Sequence, residues 1–222
     1  MITGKIKRPP VHIVEGFRKV SVTTLSDVFD RLGISGIVLG LKQVVPNARI
    51  TGTAVTVKEV TGTRGTYKPS DFAIGDVFAK ICAGDILVID NAGIPISTWG
   101  DLATLYLKQI GGRGVIIDGG CRDVDGIREV GLPVYARHFV PFSGLTRLKI
   151  LSVNEPVQCG GVRVNPGDVI VGDSTGIAVV PAERSEEILE IALGFEEKEE
   201  KIRQEILQGA SFMEASAKYG RM

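Results

Sequence analysis

Two short apolar runs with a helical segment between them limit the fold of this chain more than any other feature. The runs are ILVID at 86–90 and VIID at 115–118, and DLATLYLKQI occupies 101–110. The helical spacing predicts four inward-facing apolar side chains in that segment, namely Leu102, Leu105, Tyr106 and Ile110. A strand, a helix and a second strand in this order predict two parallel, buried strands. The chain is therefore expected to belong to the α/β class.

Further segments predict elements on both sides of this unit. TTLSDVFDRLG predicts a helix with Thr23 or Thr24 as its N-cap and Gly33 at its end. ARITGTAVTVKEV predicts a strand from about Ile50 to Val60, because β-branched residues predominate in it. The other predicted elements are helices at 71–81 and 124–130, a strand at 133–137, hairpins at 157–164 and 169–181, a long charged helix at 182–207 and a shorter terminal helix.

No linker divides the chain, so a single α/β domain over residues 1–222 is expected, with a C-terminal helical arm at about 182–222. Along that arm, Ile188, Leu189, Ala192 and Phe195 are predicted to pack on the parent domain, and Ile202 and Ile206 to meet another subunit. Residues 91–100 are predicted as a loop.

The composition excludes several classes of protein. The chain has 222 residues and equal numbers of basic and acidic residues, 26 of each, which argues against a nucleic-acid partner. No apolar run approaches the roughly 18 residues of a membrane span. The basic N-terminal residues are followed by Pro9 and Pro10 instead of an apolar run, so a signal peptide is not expected. These features predict a cytoplasmic protein that binds neither nucleic acid nor a membrane.

Polar residues collect at one edge of the predicted sheet. Asp101 begins the helix after ILVID, and residues 119–123 follow VIID directly. Because parallel strands joined by a helix end at the same edge, these segments are expected to lie together, at the edge where open α/β sheets bind ligands. The first amides of the helix, those of Leu102 and Ala103, are available to an anion there.

The residue types at this edge suit a metal-held oxo acid. Asp101, Asp123 and Asp125 supply hard oxygen ligands for a divalent cation such as Mg²⁺, and Arg122 supplies a fork for an anion. A structural interpretation stays open, in which Asp101 and Asp123 cap helices and Arg122 pairs with one of them.

The same residues resemble a known family. Gly100-Asp101, twenty intervening residues and Arg122-Asp123 are similar to the Gly-Asp-x20-Arg-Asp signature of the RraA-like family. That family includes the 4-hydroxy-4-methyl-2-oxoglutarate/4-carboxy-4-hydroxy-2-oxoadipate aldolases and the regulator of ribonuclease E activity A. The resemblance extends through TTLSDVFDRLG, TGTAVTV, GDILVID, VIIDGGCRDVDGI and KEEKIRQEILQG. It implies an αββα-type layered sandwich assembled as a homotrimer or homohexamer, with active sites between subunits.

The resemblance also implies roles for individual residues. Asp123 is similar to the protein ligand of a divalent cation, most simply Mg²⁺ with Mn²⁺ as an alternative. Arg122 resembles the residue that contacts the substrate keto oxygen, and Asp101 the carboxylate that holds a metal-bound water. The backbone at Gly100, Leu102 and Ala103 corresponds to the segment that receives the substrate carboxylate. The fourth element is a glutamate of a neighbouring subunit, and it aligns with Glu199 or Glu200 in the charged KEEK segment, which is otherwise a solvated helix face.

Other catalytic candidates are weaker. Lys58 is the one lysine considered for a Schiff base, and its place in an alternating strand predicts a solvent-facing side chain. Cys121 has no histidine nearby in the sequence and is predicted to be a packing residue, and His12 and His138 are predicted to be structural.

Three functions remain open at this point. The first is a metal-dependent aldolase that releases pyruvate from 4-hydroxy-4-methyl-2-oxoglutarate-type acids and also decarboxylates oxaloacetate. The second is a non-catalytic, protein-binding regulator of the ribonuclease E type. The third is a lyase or dehydratase that acts on another sugar acid. The long C-terminal arm favours the enzyme, because regulators of this kind tend to be shorter.

Overall fold

The computed structural model describes residues 1–220 of the chain. Within them the strands are β1 (Ile2–Thr3), β2 (Ile37–Val38), β3 (Lys42–Gln43), β4 (Ile50–Thr61), β5 (Asp85–Asp90), β6 (Ser97–Trp99), β7 (Gly114–Cys121), β8 (Val134–Phe139), β9 (Leu148–Val153), β10 (Val157–Cys159), β11 (Val162–Val164), β12 (Val169–Gly172) and β13 (Ile177–Val180). The helices are α1 (Val11–Gly16), α2 (Val22–Leu32), α3 (Ile74–Phe78), α4 (Asp101–Gln109), α5 (Val124–Val130), α6 (Ser185–Leu207) and α7 (Phe212–Lys218). The last two residues of the predicted arm, Arg221 and Met222, lie outside the described residues.

Four parallel strands form the centre of the large sheet, in the order β4, β5, β7 and β8. Antiparallel strands β12, β13 and β2 continue the sheet beyond β4, and β3 pairs with β8 at the other end. Asp90 and Asp118, the last residues of the two predicted apolar runs, are direct partners in neighbouring strands. The predicted parallel unit is therefore confirmed, with α4 as its connection.

Alternating side chains divide the interior into layers. In β5, Leu87 packs toward the core that includes residues of α4 and α5, and Ile86 packs toward β12 and the hairpin β10–β11. In β12, Ile170 meets that central layer and Val171 faces α1, α2 and α6. Full burial of such aliphatic side chains stabilises the fold by about 1.5–3 kcal/mol each. The layers are thus α4 and α5, the β4–β5–β7–β8 part of the large sheet, the β12–β13 part of the sheet with the hairpin β10–β11, and the helices α1, α2 and α6. This order confirms the α/β sandwich with its C-terminal arm.

The start of α2 differs from the prediction. Its N-cap is Ser21, whose hydroxyl accepts a hydrogen bond from the backbone N–H of Thr24 at 3.0 Å, so the assignment of the cap to Thr23 or Thr24 was wrong. Threonine also caps helices, and only the backbone turn decides which of the adjacent hydroxyls is used. The predicted end is confirmed, with Gly33 in the left-handed conformation at φ 66°.

The buried face of α4 also differs from the prediction. Leu102 is 76% exposed, and Leu105 and Tyr106 are 44% and 48% exposed, whereas Thr104 and Leu107 are buried. The hydroxyl of Thr104 accepts a hydrogen bond from the indole N–H of Trp99 at 2.8 Å and donates to the carbonyl of Gly100 at 2.8 Å. These bonds fix Thr104 against the sheet, and the three larger apolar side chains consequently face outward. Of the four predicted inward positions, only that of Ile110 is confirmed, because its side chain packs against the core.

Several short elements were not predicted. The loop expected at 91–100 contains β6, which pairs with β7. The helix expected at 71–81 is a 3-10 turn at Pro69–Phe72 followed by the short helix α3. Strand β9 pairs with both β4 and β1, and α1 packs beside α6. Among the described residues, no helix combines the length and apolar character that a bilayer crossing requires.

The C-terminal arm folds back on itself. Ile188, Leu189 and Ala192 of α6 are buried in the helical layer, and Phe195 packs against it, as predicted. Ile202, predicted to meet another subunit, is instead 7% exposed within its own chain. The reason is α7, which packs on α6 and is held there by an ion pair of 2.5 Å between Lys218 Nζ and Glu205 Oε1.

Candidate active site

The predicted residues meet around a cavity of about 410 Å³ at the carboxyl edge of the parallel strands. The start of α4 and the segment after β7 contribute Gly100, Asp101, Leu102, Ala103, Arg122 and Asp123 to its lining. Strand β6 contributes Thr98 and Trp99, and Phe72, Phe78, Tyr106 and Leu145 supply apolar walls. The structure therefore brings together the predicted site residues except Asp125 and the glutamates of the arm.

Glycine is required where the two segments meet. A Cβ on Gly100 would lie 2.5 Å from Asp123 Oδ2, closer than two such atoms can approach. A Cβ on Gly126 would likewise lie 2.8 Å from the Cβ of Asp101. The absence of these two side chains allows the first turns of α4 and α5 to touch, which places the Asp101 and Asp123 regions side by side.

Asp123 has an unusual backbone for its position. It precedes α5 with φ 56° and ψ 42°, a left-handed conformation that costs energy outside glycine, and its side chain makes no cap hydrogen bond. Its carboxylate is 38% exposed and lies 3.3 Å from the Nε of Arg122, which is 44% exposed. Asp123 thus occupies the N-cap position of α5, but its side chain does not cap the helix, whereas the pairing of Arg122 with Asp123 is present.

Asp101 uses one of the two amides predicted to bind an anion. Its Oδ1 accepts a hydrogen bond from the Leu102 N–H at 2.7 Å. Ala103 belongs to the same first turn, where amides have no partner within the helix. Asp125 does not line the cavity, because its carboxylate is 93% exposed and pairs with Arg128 at 3.3 Å.

The donor set fits a hard divalent cation that keeps most of its water. Among residues 1–220, no group of three or more His, Cys, Asp and Glu side chains forms a protein cage for a metal. Mg²⁺ is commonly held by one or two carboxylates, with water and substrate as its other ligands. Asp123 offers one such carboxylate, partly exposed and free of a capping role, beside a cavity large enough for a small acid.

The predicted glutamates lie elsewhere in the chain. Glu199 lines a separate cavity of about 520 Å³ between α6 and α7, together with Ile206 and Phe212. Glu200 is exposed and lies 3.5 Å from the Nε of Arg203. Neither glutamate lines the cavity of Arg122, so in one chain the arm does not complete the site.

The weaker candidates take structural positions. The Nζ of Lys58 lies 2.8 Å from Asp90 Oδ2 and the side chain is 37% exposed, so it is neither fully solvated nor desolvated as a Schiff-base lysine requires. Burial raises the pKa of Cys121 to about 12, which keeps the thiol protonated and supports its packing role. His138 Nε2 lies 2.9 Å from the carbonyl of Gly93, a structural contact.

Sequence reasoning missed one buried acid beneath the cavity. Glu59 is 3% exposed, its Oε1 is hydrogen-bonded to the hydroxyl of Thr98, and its Oε2 has no hydrogen-bond partner. Burial raises the pKa of Glu59 to about 8. The signal in the sequence was the alternation of the strand, because Glu59 continues the inward positions Val55 and Val57.

Fold and site together define an α/β protein with a carboxylate-, arginine- and amide-lined cavity at the sheet edge. A family model described as RraA-like, aldolase/RraA, matches residues 22–179. The chain belongs to this family.

Individual relatives agree with that membership. An uncharacterized protein of Methanocaldococcus jannaschii is 40% identical over 77% of this chain and 79% of its own length. A protein of Halalkalibacterium halodurans, provisionally named 4-hydroxy-4-methyl-2-oxoglutarate aldolase, is 28% identical over 82% of each chain. The solved structure of RraAS2 from Streptomyces coelicolor, described as an unusual member of the RNase ES inhibitor RraA protein family, is 29% identical with a TM-score of 0.80, over 90% of this chain and 99% of its own.

Proposed function

We propose that this chain is a lyase that cleaves 2-oxo acids of the 4-hydroxy-4-methyl-2-oxoglutarate type to pyruvate, with Mg²⁺ or Mn²⁺ as its cofactor. The observation that carries the proposal is the meeting of Asp101, Arg122 and Asp123 around one cavity. A family relative that bears this aldolase name supports the same substrate class. Oxaloacetate decarboxylation is proposed as a second reaction of the site, because it releases the same enolate of pyruvate.

The start of α4 binds the substrate carboxylate in this proposal. The Ala103 amide and the close backbone of Gly100 present the positive end of the helix to the anion. In the ligand-free chain the Leu102 N–H donates a hydrogen bond to Asp101 Oδ1. When this bond breaks, the Leu102 N–H also binds the substrate carboxylate. The apolar walls from Phe78 and Tyr106 exclude water from the rest of the acid.

Arg122 stabilises the charge that develops during cleavage. Its guanidinium is held 3.3 Å from Asp123 and lines the cavity. There it would face the oxygen that becomes the enolate. Asp123 would hold the divalent cation, which when bound supplies a Lewis acid for the keto acid. The Arg122 guanidinium and the cation together would place fixed positive charge where the negative charge of the enolate develops.

Asp101 directs proton removal from the 4-hydroxyl group. We propose that its carboxylate holds a water as the base, with Glu199 or Glu200 of another subunit as its partner. Neither glutamate lines the cavity in a single chain, so this role requires a site shared between subunits, as in a homotrimer or homohexamer. The organisation as a single domain also stays a prediction.

A pyruvate-release assay tests the function. The purified protein is given 4-hydroxy-4-methyl-2-oxoglutarate or oxaloacetate, with Mg²⁺ or after thorough treatment with EDTA. Metal-dependent release of pyruvate is expected from both acids. Release that is unaffected by chelation contradicts the cofactor, and no release from either acid contradicts the substrate class.

A protein-binding regulator is the second candidate function. The Streptomyces relative whose description names a ribonuclease inhibitor family matches 90% of this chain, so length alone does not separate the two functions. Inhibition of a ribonuclease E-type enzyme that is equal for wild type and Arg122→Ala would favour the regulator. A panel of sugar acids in the release assay tests the third alternative, a lyase or dehydratase of another acid.

A further inference from the structure

A buried acid lies beneath the floor of the candidate site without a role in the chemistry proposed above. Glu59 is on β4 beside a register shift in its pairing with β9, and only 3% of it is exposed. Its one hydrogen-bond partner at Oε1 is Thr98, which is itself 3% exposed and lines the cavity. The carboxyl group is therefore one hydroxyl group away from any ligand in the site.

The hydrogen bonding around Glu59 favours the neutral acid. Its Oε2 is buried without a partner, a costly situation for a charged carboxylate oxygen and a much cheaper one for the carbonyl oxygen of an acid. The Thr98 hydroxyl donates to Oε1 when the carboxylate is ionised; in the neutral acid the hydrogen lies on Oε1 and is directed at Thr98 Oγ1. A threonine hydroxyl has one hydrogen, so when Oγ1 accepts from Glu59 that hydrogen is free to point elsewhere.

Most charged groups on the elements around Glu59 form pairs of opposite charge. On β4 and β5, Lys58 pairs with Asp90 at 2.8 Å, and on β9 and the 3-10 turn before α3, Lys149 pairs with Asp71 at 3.6 Å. On the cavity side the charged groups are Arg122 and Asp123, which also form a pair, and Asp101, whose Oδ1 accepts a hydrogen bond from the Leu102 N–H. These pairs leave burial as the main influence on Glu59, and it raises the pKa of this residue to about 8, with Asp90 adding to the rise and Thr98 and Lys58 opposing it.

We propose that Glu59 is a positioning residue of the site: as a neutral acid it donates to Thr98 Oγ1 and so turns the Thr98 hydroxyl hydrogen toward a bound oxo acid. Once Glu59 is ionised, it must instead accept that hydrogen, and the ligand loses a donor while a negative charge appears beneath it. The identity of the ligand rests on the proposed function. The coupling of Glu59 to the cavity rests on the geometry alone.

Oxalate binding across the alkaline range tests the proposal. Oxalate presents two adjacent carboxylate oxygens to the site, as a 2-oxo acid does, and it is fully ionised between about pH 6 and about pH 9.5. With Mg²⁺ held constant, calorimetry on wild type should show affinity that falls about two- to tenfold, the effect of one hydrogen bond, with a midpoint near 8. Glu59→Gln should bind as wild type does at the acid end and lose the alkaline fall, because the glutamine amide donates to Thr98 Oγ1 at every pH.

Two threonine variants form a matched pair. Thr98→Val removes the donor and should lower the affinity at neutral pH about two- to tenfold. Thr56→Val removes a buried hydroxyl from the same strand as Glu59, one that donates to the carbonyl of Glu155 instead of facing the cavity, and it should keep the wild-type profile. An alkaline fall that persists in Glu59→Gln, or a flat wild-type profile, overturns the proposal.

The fluorescence of Trp99 separates this proposal from the proposed function. Trp99 is the single tryptophan of the chain, follows Thr98 directly and lines the cavity. If oxalate fails to bind wild type at any pH, the oxo-acid function is contradicted. The pH dependence of Trp99 fluorescence in the ligand-free protein then tests whether Glu59 is coupled to the cavity. A fluorescence transition near pH 8 that disappears in Glu59→Gln supports the coupling, and its absence from wild type contradicts it.

Discussion

At the scale of single residues, the contact between Gly100 and Asp123 sets the geometry of the site. Gly100→Ala would place a methyl group 2.5 Å from Asp123 Oδ2 and push that carboxylate aside. We expect loss of at least about tenfold in pyruvate release, since small misplacements of reacting groups are expensive. Gly194→Ala is the matched control: it lies in α6 with open space around it and should raise stability by up to about 1 kcal/mol with unchanged activity.

Arg122 tests whether the positive charge is catalytic or structural. Its side chain is 44% exposed, so Arg122→Ala should keep the fold while activity falls by about a hundredfold or more. Arg122→Lys should recover only part of the loss, because the planar fork is gone. Turnover and thermal melting are measured together. An unfolded variant, or one with wild-type turnover, would show that Arg122 is structural.

The raised pKa of Glu59 makes the free energy of unfolding depend on pH. The pKa of Glu59 is about 8 in the folded chain against 4.5 for an unperturbed glutamate, so the folded state holds a proton that the unfolded state has lost between these values. Stability therefore falls as the pH rises through this window, by about 1.4 kcal/mol per unit at most. Relative to wild type, the Tm of Glu59→Gln should rise by about 3–5 °C per pH unit up to about pH 8 and then level off. Exposed Glu190→Gln is the control, and an equal trend in it would contradict the assignment.

At the scale of elements, the contribution of the α2 N-cap to the free energy of unfolding can be measured. Ser21→Ala removes the acceptor of the Thr24 N–H and should cost about 1 kcal/mol, read as a lower midpoint in urea unfolding. Thr23→Ala removes a hydroxyl that lies 2.9 Å from Ser21 Oγ but accepts no backbone N–H of α2, and it should lower the midpoint less. If Thr23→Ala proved the more damaging change, the sequence-based choice of the cap would be restored.

The regular elements of the fold could be predicted from the sequence, and the rotations and short strands could not. ILVID and VIID were found because strands buried on both faces are continuously apolar. The face of α4 was not found, because Thr104 is fixed by a tertiary bond from Trp99 that no local pattern contains. Strand β6 has three residues and exists through its partner β7, so length and periodicity give no signal for it.

The site was predictable as far as topology determines it. The parallel connection of the strands is sufficient to predict that Asp101 lies beside Arg122 and Asp123, as it does around the cavity. The left-handed backbone of Asp123 and the buried acid at Glu59 were not foreseen, since both depend on how loops and strands pack around them. The roles of these residues stay predictions until the variants are measured.

At the scale of the whole molecule, residues 1–220 include two groups of exposed apolar side chains on helices. One is on α4, at Leu102, Leu105 and Tyr106, beside the candidate site. The other is on the arm, at Ile206, Leu207, Phe212 and Met213. Exposed apolar residues grouped in this way are typical of protein interfaces, which supports the proposed assembly.

Mixing experiments test whether the site is shared between chains. A Glu199→Ala/Glu200→Ala double variant and an Arg122→Ala variant should each be nearly inactive in aldol cleavage. After subunit exchange the mixture should regain part of the activity, because some sites then receive both intact halves. Truncation after Leu193 should abolish aldol cleavage and spare oxaloacetate decarboxylation, which has no hydroxyl proton to remove. A fully active monomer, or no recovery after confirmed exchange, contradicts the shared site.

The pairing of β4 has a consequence for synthesis on the ribosome. This early strand takes β5 as one neighbour, but its other edge is completed by β9 and β12, which are translated much later. During most of its elongation the nascent chain therefore carries a long, apolar strand with an open edge, the kind of surface on which aggregation begins. Contacts so distant in sequence also slow folding, and the native sheet around β4 cannot be completed before β9 and β12 have been synthesised.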